Sequence, residues 1–326
     1  MSHPIVALGT SGLPVSRIGL GLAGVGRPAY MAPARSADLG PDRSIRAMGR
    51  RCRVLLDAAC AAGIRYIDAA RSYGLAEQFL RTWWDDRCLP DSALTVGSKW
   101  GYIYTGLWQL DAPVHEVKRL SIDTLRRQAL ESTHILGRRL SLYQVHSATL
   151  ESGVFEDTAV LTELARLREQ GLCIGVTVTG PRQVEAIRRA LDVRIDGVAL
   201  FQTVQATWNL LEPSACCALA DAKARGCGVI VKEALANGRL TDRYGGPELR
   251  EIRARASELG TAVETLVMAA ALTQPWADVV LSGAVTCEQL QTHVAALSVA
   301  ADFVSFASIA ESPDMYWHKR GALPWN

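Results

Sequence analysis

Lysine is scarce in this 326-residue chain, occurring only at positions 99, 118, 223, 232 and 319, and the other cationic side chains are mostly Arg. Scarcity makes each lysine informative, above all one that ends an apolar run. Charge of one sign is also missing: 35 Lys and Arg stand against 33 Asp and Glu, a net charge of +2 without a basic block. That balance argues against a nucleic-acid or anionic-membrane surface as partner. No apolar run approaches the ~20 residues a spanning helix needs, and Met1-Ser2-His3-Pro4 does not begin a signal peptide. The eight cysteines include no CxxC pair, and the scattered Cys and His lack zinc-ligand spacing, so no metal site is expected. Free, mostly buried thiols fit a reducing compartment, and the expectation is a soluble cytoplasmic protein.

What is present is organised around Gly63 to Glu77. Ile64, Tyr66 and Ile67 make a short strand-like run that ends in Asp68, and Tyr73-Gly74 opens a loop five residues on. Two further runs end in the same manner. Leu94 to Gly101 carries Lys99, and Leu140 to His146 ends in histidine. Three successive strands thus end in Asp, Lys and His.

Strand-like and helix-like segments alternate along the rest of the chain. Residues 5–12 and 13–20 predict two short β segments about a Thr10-Ser11-Gly12 turn, and Ile18 to Leu22 a buried strand. A long insertion with three prolines covers 26–49, the kind of loop that is usually functional or disordered. Further strands are expected over Cys173–Val178, Gly197–Gln202, Gly228–Lys232 and Val279–Leu281. Near-continuous apolar strands imply a parallel sheet covered on both faces. The expected fold is a (β/α)8 TIM barrel formed by residues 1–326 as a single domain, with an N-terminal β-hairpin and long active-site loops. In such a barrel, strand carboxyl ends line the active-site mouth, so Asp68, Tyr73, Lys99 and His146 converge there.

A phenol with a pKa near ~10 is a weak acid for protonating a carbonyl oxygen at neutral pH, and a nearby cation strengthens it. Lys99 supplies that cation, Asp68 keeps it charged, and His146 orients a substrate oxygen. The set offers a proton donor and an oxyanion stabiliser without a nucleophile or metal. The missing half is a hydride source. Structural readings also exist, namely a mouth ion pair, a core histidine and a loop aromatic; four suitable residues at three consecutive strand ends weigh against them.

At these residues the sequence resembles the aldo-keto reductase superfamily essentially end to end. The family's Asp-x-Ala-x-x-Tyr-Gly matches Asp68 to Gly74, its strand-ending lysine matches Lys99, and its Gln-x-His matches Gln144-Val145-His146. The resemblance implies a (β/α)8 barrel in which Tyr73 is the acid/base, Asp68 and Lys99 tune it, and His146 orients a carbonyl for hydride transfer from NADPH or NADH. It also implies a cofactor site at Thr177, Gln205, Lys232 and Leu235, continuing through Gly238, Arg243, Gly283 and Gln289. Departures concentrate here. Thr177-Val178 replaces a Ser-Asn pair, Lys232 stands where relatives place an aromatic under the nicotinamide, and 282–289 lacks the cation that NADP users set against the 2′-phosphate. Acceptance of NADH, with at most a weak preference for NADPH, is the expectation.

Trp100, Tyr102 and Trp108 are candidate substrate-binding aromatics, with loop packing as the plainer alternative. Lys232 is expected to pair with Glu233 or with carboxylates on the Asp221 side, in preference to a catalytic role. The carboxyl-terminal Tyr316-Trp317-His318-Lys319 and Pro324-Trp325-Asn326 fit either a cover over the mouth or a cap on the barrel. The expected partner is a small-molecule carbonyl or alcohol, and oligomeric state is not readable. Two other functions compete: a non-redox enzyme on the same barrel using Lys232, and a cofactor-sensing regulatory subunit.

Overall fold

The computed structural model describes residues 4–30, 35–247, 249–299, 301 and 304–325. Eight parallel strands close into a barrel in chain order: β1 (Ile18–Gly21), β2 (Tyr66–Asp68), β3 (Thr95–Trp100), β4 (Leu140–Ala148), β5 (Cys173–Val178), β6 (Thr203–Thr207), β7 (Gly228–Lys232) and β8 (Val279–Ser282). Closure comes from Val280, Leu281 and Ser282 pairing with Ile18, Gly19 and Leu20. The helices follow their strands: α1 (Arg35–Leu39) and α2 (Ile45–Ala61) after β1, α3 (Ala76–Asp86) after β2, α4 (Ile122–Leu136) after β3 and α5 (Thr158–Glu169) after β4. Then come α6 (Gln183–Asp192), α7 (Cys216–Ala224), the pair α8 (Leu249–Glu258) and α9 (Val263–Leu272), α10 (Cys287–Val294), and a terminal α11 (Pro313–Gly321).

Local chemistry explains where these helices start and which face they bury. In α2, Met48, Cys52, Leu55, Leu56 and Ala59 fall on one stripe against the barrel, and Ser44 caps the first turn by accepting from Ala47 N at 3.2 Å. Ser121, Asp157, Thr286 and Ser312 cap α4, α5, α10 and α11 in the same manner. Each such cap contributes on the order of 1 kcal/mol. The bottom of the barrel is closed by the N-terminal hairpin, Ile5–Ala7 against Pro14–Ser16. Its Leu8 and Val15 pack on the interior residues Tyr66, Leu142, Ile230 and Val279.

Three features differ from the sequence expectation. The sixth barrel strand is Thr203–Thr207, not Gly197–Gln202; the earlier segment contributes a small exposed hairpin, Arg194–Ile195 with Val198–Ala199. The apolar pattern misplaced it because this barrel strand buries Thr203, Gln205 and Thr207, all polar, while Val198 is exposed. The loop after β3 also forms a hairpin, Tyr102–Tyr104 with Glu116–Lys118. Finally, the tail carries a helix, α11, begun by Ser312 and Pro313. Among the described residues no helix is long and apolar enough to cross a membrane.

Candidate active site

The short run before Asp68 ends a strand with its carboxylate buried, 2% exposed, at the barrel mouth. Lys99, one strand over and 1% exposed, forms an ion pair with it. The same ammonium donates to Ala69 O at 3.0 Å and to the Tyr73 hydroxyl oxygen at 3.2 Å. Asp68 accepts further hydrogen bonds from Tyr66 Oη at 3.1 Å and Gln205 Nε2 at 3.0 Å. The ion pair and these hydrogen bonds fix the Asp68 carboxylate and the Lys99 ammonium in place.

Gly97 makes this network possible. A Cβ there would lie 2.5 Å from Tyr66 Oη, so any side chain would push Tyr66 off Asp68. Gly97→Ala is therefore expected to lose about 1–3 kcal/mol of stability, measured by urea unfolding.

His146 enters from β4. Ser147, directly after it, takes a left-handed φ of 56° and interrupts the β4–β5 register, and its N–H donates to Thr177 Oγ1 at 2.6 Å. The imidazole lies edge-on to Tyr73 and Tyr102, with ring centroids 5.6 and 4.9 Å away. Burial, reinforced by Lys99 and Lys232, pushes the His146 pKa well below its ordinary value, so the ring is neutral at pH 7. Burial pushes the Tyr73 phenol well above its ordinary value, Asp68 adding to the shift and Arg27 opposing it. Tyr73 therefore rests protonated, as a proton donor must.

Asp68, Tyr73 and His146 border one cavity of about 600 Å³, with Lys99 directly behind them. This cavity runs from the barrel mouth to the loop after β8. Thr177, Gln205, Lys232 and Leu235 line it, and so do Gly238, Arg243, Gly283 and Gln289. Of the three candidate aromatics, Tyr102 is on its wall. Trp100 is fully buried in the core, and Trp108 donates its indole N–H to Arg43 O at 2.7 Å and packs edge-on to Phe79; neither borders the cavity. Their places are taken by Tyr30, from the 26–49 insertion, and Trp325, from the tail. Trp325 stacks on His115 at 4.5 Å and lies under the Arg27 guanidinium at 4.8 Å. The tail is thus a cover over the mouth.

The expected Lys232–Glu233 pair does not form. Glu233, at a left-handed φ of 57°, is held by Arg320 of α11, whose Nε donates at 3.0 Å, and by the Thr207 hydroxyl at 3.1 Å. Arg320 and Lys232 hold the Glu233 carboxyl down at about 2 against its burial. Arg27 likewise pairs with Glu116 at 2.6 Å. Sequence reasoning missed Arg27, Glu116, Thr207 and Arg320; the proline-bearing insertion and the aromatic tail were the available signals.

At the far end of the cavity Asp38 of α1 accepts from Gln289 Nε2 at 2.8 Å and forms an ion pair with Arg243. Glu264 and Glu288 line the same end. Among the described residues no cluster of His, Cys, Asp or Glu has metal-binding geometry.

Among curated proteins none matches the chain. Solved structures share its fold: the PA4992 protein of Pseudomonas aeruginosa, assigned to the aldo-keto reductases, has 23% identity and a TM-score of 0.64 over 90% of this chain and 94% of that one. The aldo-keto reductase AKR11C1 from Bacillus halodurans, in its holo form, has 19% identity and a TM-score of 0.68 over 98% of this chain and 96% of that one. The family model described as Aldo/keto reductase family matches residues 17–312, from the first barrel strand to the start of the terminal helix, and the chain accordingly belongs to the aldo/keto reductase family.

Proposed function

We propose that this protein is a nicotinamide-dependent oxidoreductase that interconverts a carbonyl compound and its alcohol, with Tyr73 as general acid and base. The observation that carries this reading is the contact of a protonated, buried phenol with the Lys99 ammonium at 3.2 Å, at the edge of a cavity that His146 also borders. The residues fit the cofactor's chemistry. The cavity volume lies within the range of cofactor sites. With its amide nitrogen committed to Asp68, Gln205 keeps an amide oxygen for a carboxamide N–H, and the Thr177 hydroxyl, accepting from Ser147 N, keeps a proton to donate. The cofactor, when bound, gives or takes the hydride. Tyr73 then delivers its proton to the substrate oxygen in reduction and recovers one in oxidation. Lys99 stabilises the phenolate that each delivery leaves, and neutral His146 donates a hydrogen bond that fixes the carbonyl. Tyr102, Tyr30 and Trp325 supply flat apolar walls against the substrate.

For cofactor choice we infer that NADH is accepted at least as well as NADPH. Selecting NADP needs a charge-assisted site for the 2′-phosphate, usually from arginine. Here Arg243 is already paired with Asp38, and Glu264 and Glu288 add negative charge. Carboxylates suit a ribose diol and repel a phosphate. Titrations of tryptophan fluorescence are expected to give an NADH Kd equal to or below that for NADPH; thousandfold tighter NADPH binding would overturn the inference. Val285→Arg, at a cavity-lining position, is expected to shift the ratio toward NADPH by roughly 1.5–3 kcal/mol. The oxidoreductase reading itself is tested by following NADH absorbance with aldehyde substrates. Tight cofactor binding without turnover on any of a broad aldehyde and ketone panel would overturn it in favour of a sensing role.

A further inference from the structure

Arg27 reaches the mouth from the loop after β1 and borders the cavity, although it is only 2% exposed. Two glycines let its backbone lie against the turn that carries Tyr73. A Cβ at Gly26 would stand 2.3 Å from Tyr73 O, and one at Gly74, where φ is 61°, would stand 2.8 Å from Arg27 Cβ. Leu75 N also donates to Gly26 O at 2.8 Å. The guanidinium is fixed at its other end, where Nη1 donates to Ser72 O at 2.8 Å and to Glu116 Oε2 at 2.6 Å. Its central carbon then lies 5.6 Å from the centre of the Tyr73 ring, 5.3 Å from that of Tyr30 and 4.8 Å from that of Trp325.

A cation against an aromatic ring is attracted by its electrons, and attracted more strongly once the hydroxyl has become a phenolate and the ring shares a full negative charge. Excluding water strengthens that attraction. Charged groups face Tyr73 from several elements: Asp68 and Lys99 on β2 and β3, Glu233 and Arg320 on the side of β7 and α11, and Arg27 with Glu116 on the loop side. Neutral His146 lies edge-on to it, and Tyr30, Tyr102 and Lys232 line the same cavity. Burial and then Asp68 raise the Tyr73 pKa, Arg27 opposes them, and Glu116 and Glu233 reinforce them more weakly than Arg27 opposes. A guanidinium is also a permanent charge, so its pull does not vary with pH as that of an amine can.

We propose that Arg27 is a positioning residue for the acid, a second cation that supports the Tyr73 phenolate beside Lys99, and that Glu116 holds it in place while moderating its pull. The proposal rests on the reading of Tyr73 as general acid and base. Tyr73 Oη gives its proton to the substrate oxygen in reduction, and the phenolate that remains lies between the two cations until a proton returns. Arg27 and Glu116 exchange no proton in either direction.

Removing one member of the pair is expected to act in the opposite direction to removing the other, a result that lost packing alone does not produce. The full-length protein oxidises, with NAD⁺, the alcohol of a carbonyl compound that the broad panel shows to be reduced, and kcat is followed against pH over the limb that rises as Tyr73 loses its proton. Glu116→Gln keeps an amide oxygen for Arg27 Nη1 and drops the charge. It is expected to move the rise to lower pH, with oxidation at a fixed pH on that limb about threefold faster or more. Arg27→Met is expected to move the rise to higher pH, with oxidation about tenfold slower or more, and Arg27→Lys to recover part of the loss. Cofactor Kd by fluorescence and urea unfolding are measured on each variant. A Glu116→Gln profile that overlays the wild type or moves to higher pH, or an Arg27→Met profile that does not move to higher pH, would overturn the proposal. Should Arg27→Met fail to fold, Arg27→Lys and Glu116→Gln decide it, the second by the same criterion. Should no member of the panel be turned over, the oxidoreductase reading fails by that result, and the tuning of Tyr73 is read without turnover by NMR titration of ring-labelled tyrosine, assigned with Tyr73→Phe. Ionisation at lower pH in Glu116→Gln than in the wild type supports the proposal, and identical titrations overturn it.

Discussion

Tyr73→Phe is expected to lower kcat for carbonyl reduction by ~10²–10⁴-fold, the usual effect of removing one general acid, with little change in NADH affinity. The substitution deletes one hydroxyl whose protein contact is the Lys99 ammonium at 3.2 Å, so packing against His146 and the Arg27 guanidinium persists. Steady-state kinetics with an accepted aldehyde, together with a cofactor titration, measure both quantities. Near wild-type kcat in the variant would mean that the proton comes from elsewhere. His146 is poorly suited to that task because burial holds it neutral, with a depressed pKa. Retained kcat would therefore overturn the whole assignment and not exchange one donor for another.

Lys99→Met is expected to be nearly as damaging and to leave a different signature. Without the ammonium, the phenolate that follows proton delivery has lost its nearest cation, so the Tyr73 pKa rises further from an already raised position. Reduction at pH 7 falls by roughly 10²-fold, comparable to loss of one charge-stabilising donor. In the oxidative direction Tyr73 must first lose its proton. Activity there grows as pH climbs through the phenol's pKa, and a higher pKa moves that rise to higher pH. An oxidation profile that overlays the wild type would remove Lys99 from the mechanism. The variant also leaves Asp68 charged and buried without its counter-ion, a change that costs about 3–5 kcal/mol when a buried pair loses one member. Adding Asp68→Asn is expected to recover much of the stability, measured by urea unfolding, but not the rate. That separation distinguishes a catalytic loss from a folding loss.

The barrel and the meeting of Asp68, Tyr73, Lys99 and His146 at its mouth were legible because both are written in local pattern. Seven of the barrel strands are mainly apolar runs, and three of them carry Asp68, Lys99 and His146 at or near their carboxyl ends. A parallel barrel brings strand ends to one rim, so these residues meet without any knowledge of side-chain packing. The sixth strand was displaced because Thr203, Gln205 and Thr207 are polar and buried, a pairing that hydrophobic periodicity cannot register.

By itself the sequence determined the alternation of strands and helices, the four residues at the mouth and the lack of a cation in 282–289. Tertiary structure alone decided which charges cancel. Lys232 and Glu233 are adjacent in sequence, yet a left-handed residue and an arginine 87 positions away separate them. Asp38 reaches Arg243 across 205 positions, and Trp325 arrives on Arg27 and His115 from the far end of the chain. Ion pairs form by distance in space and are screened or strengthened by burial, and neither quantity is carried by the order of residues along the chain.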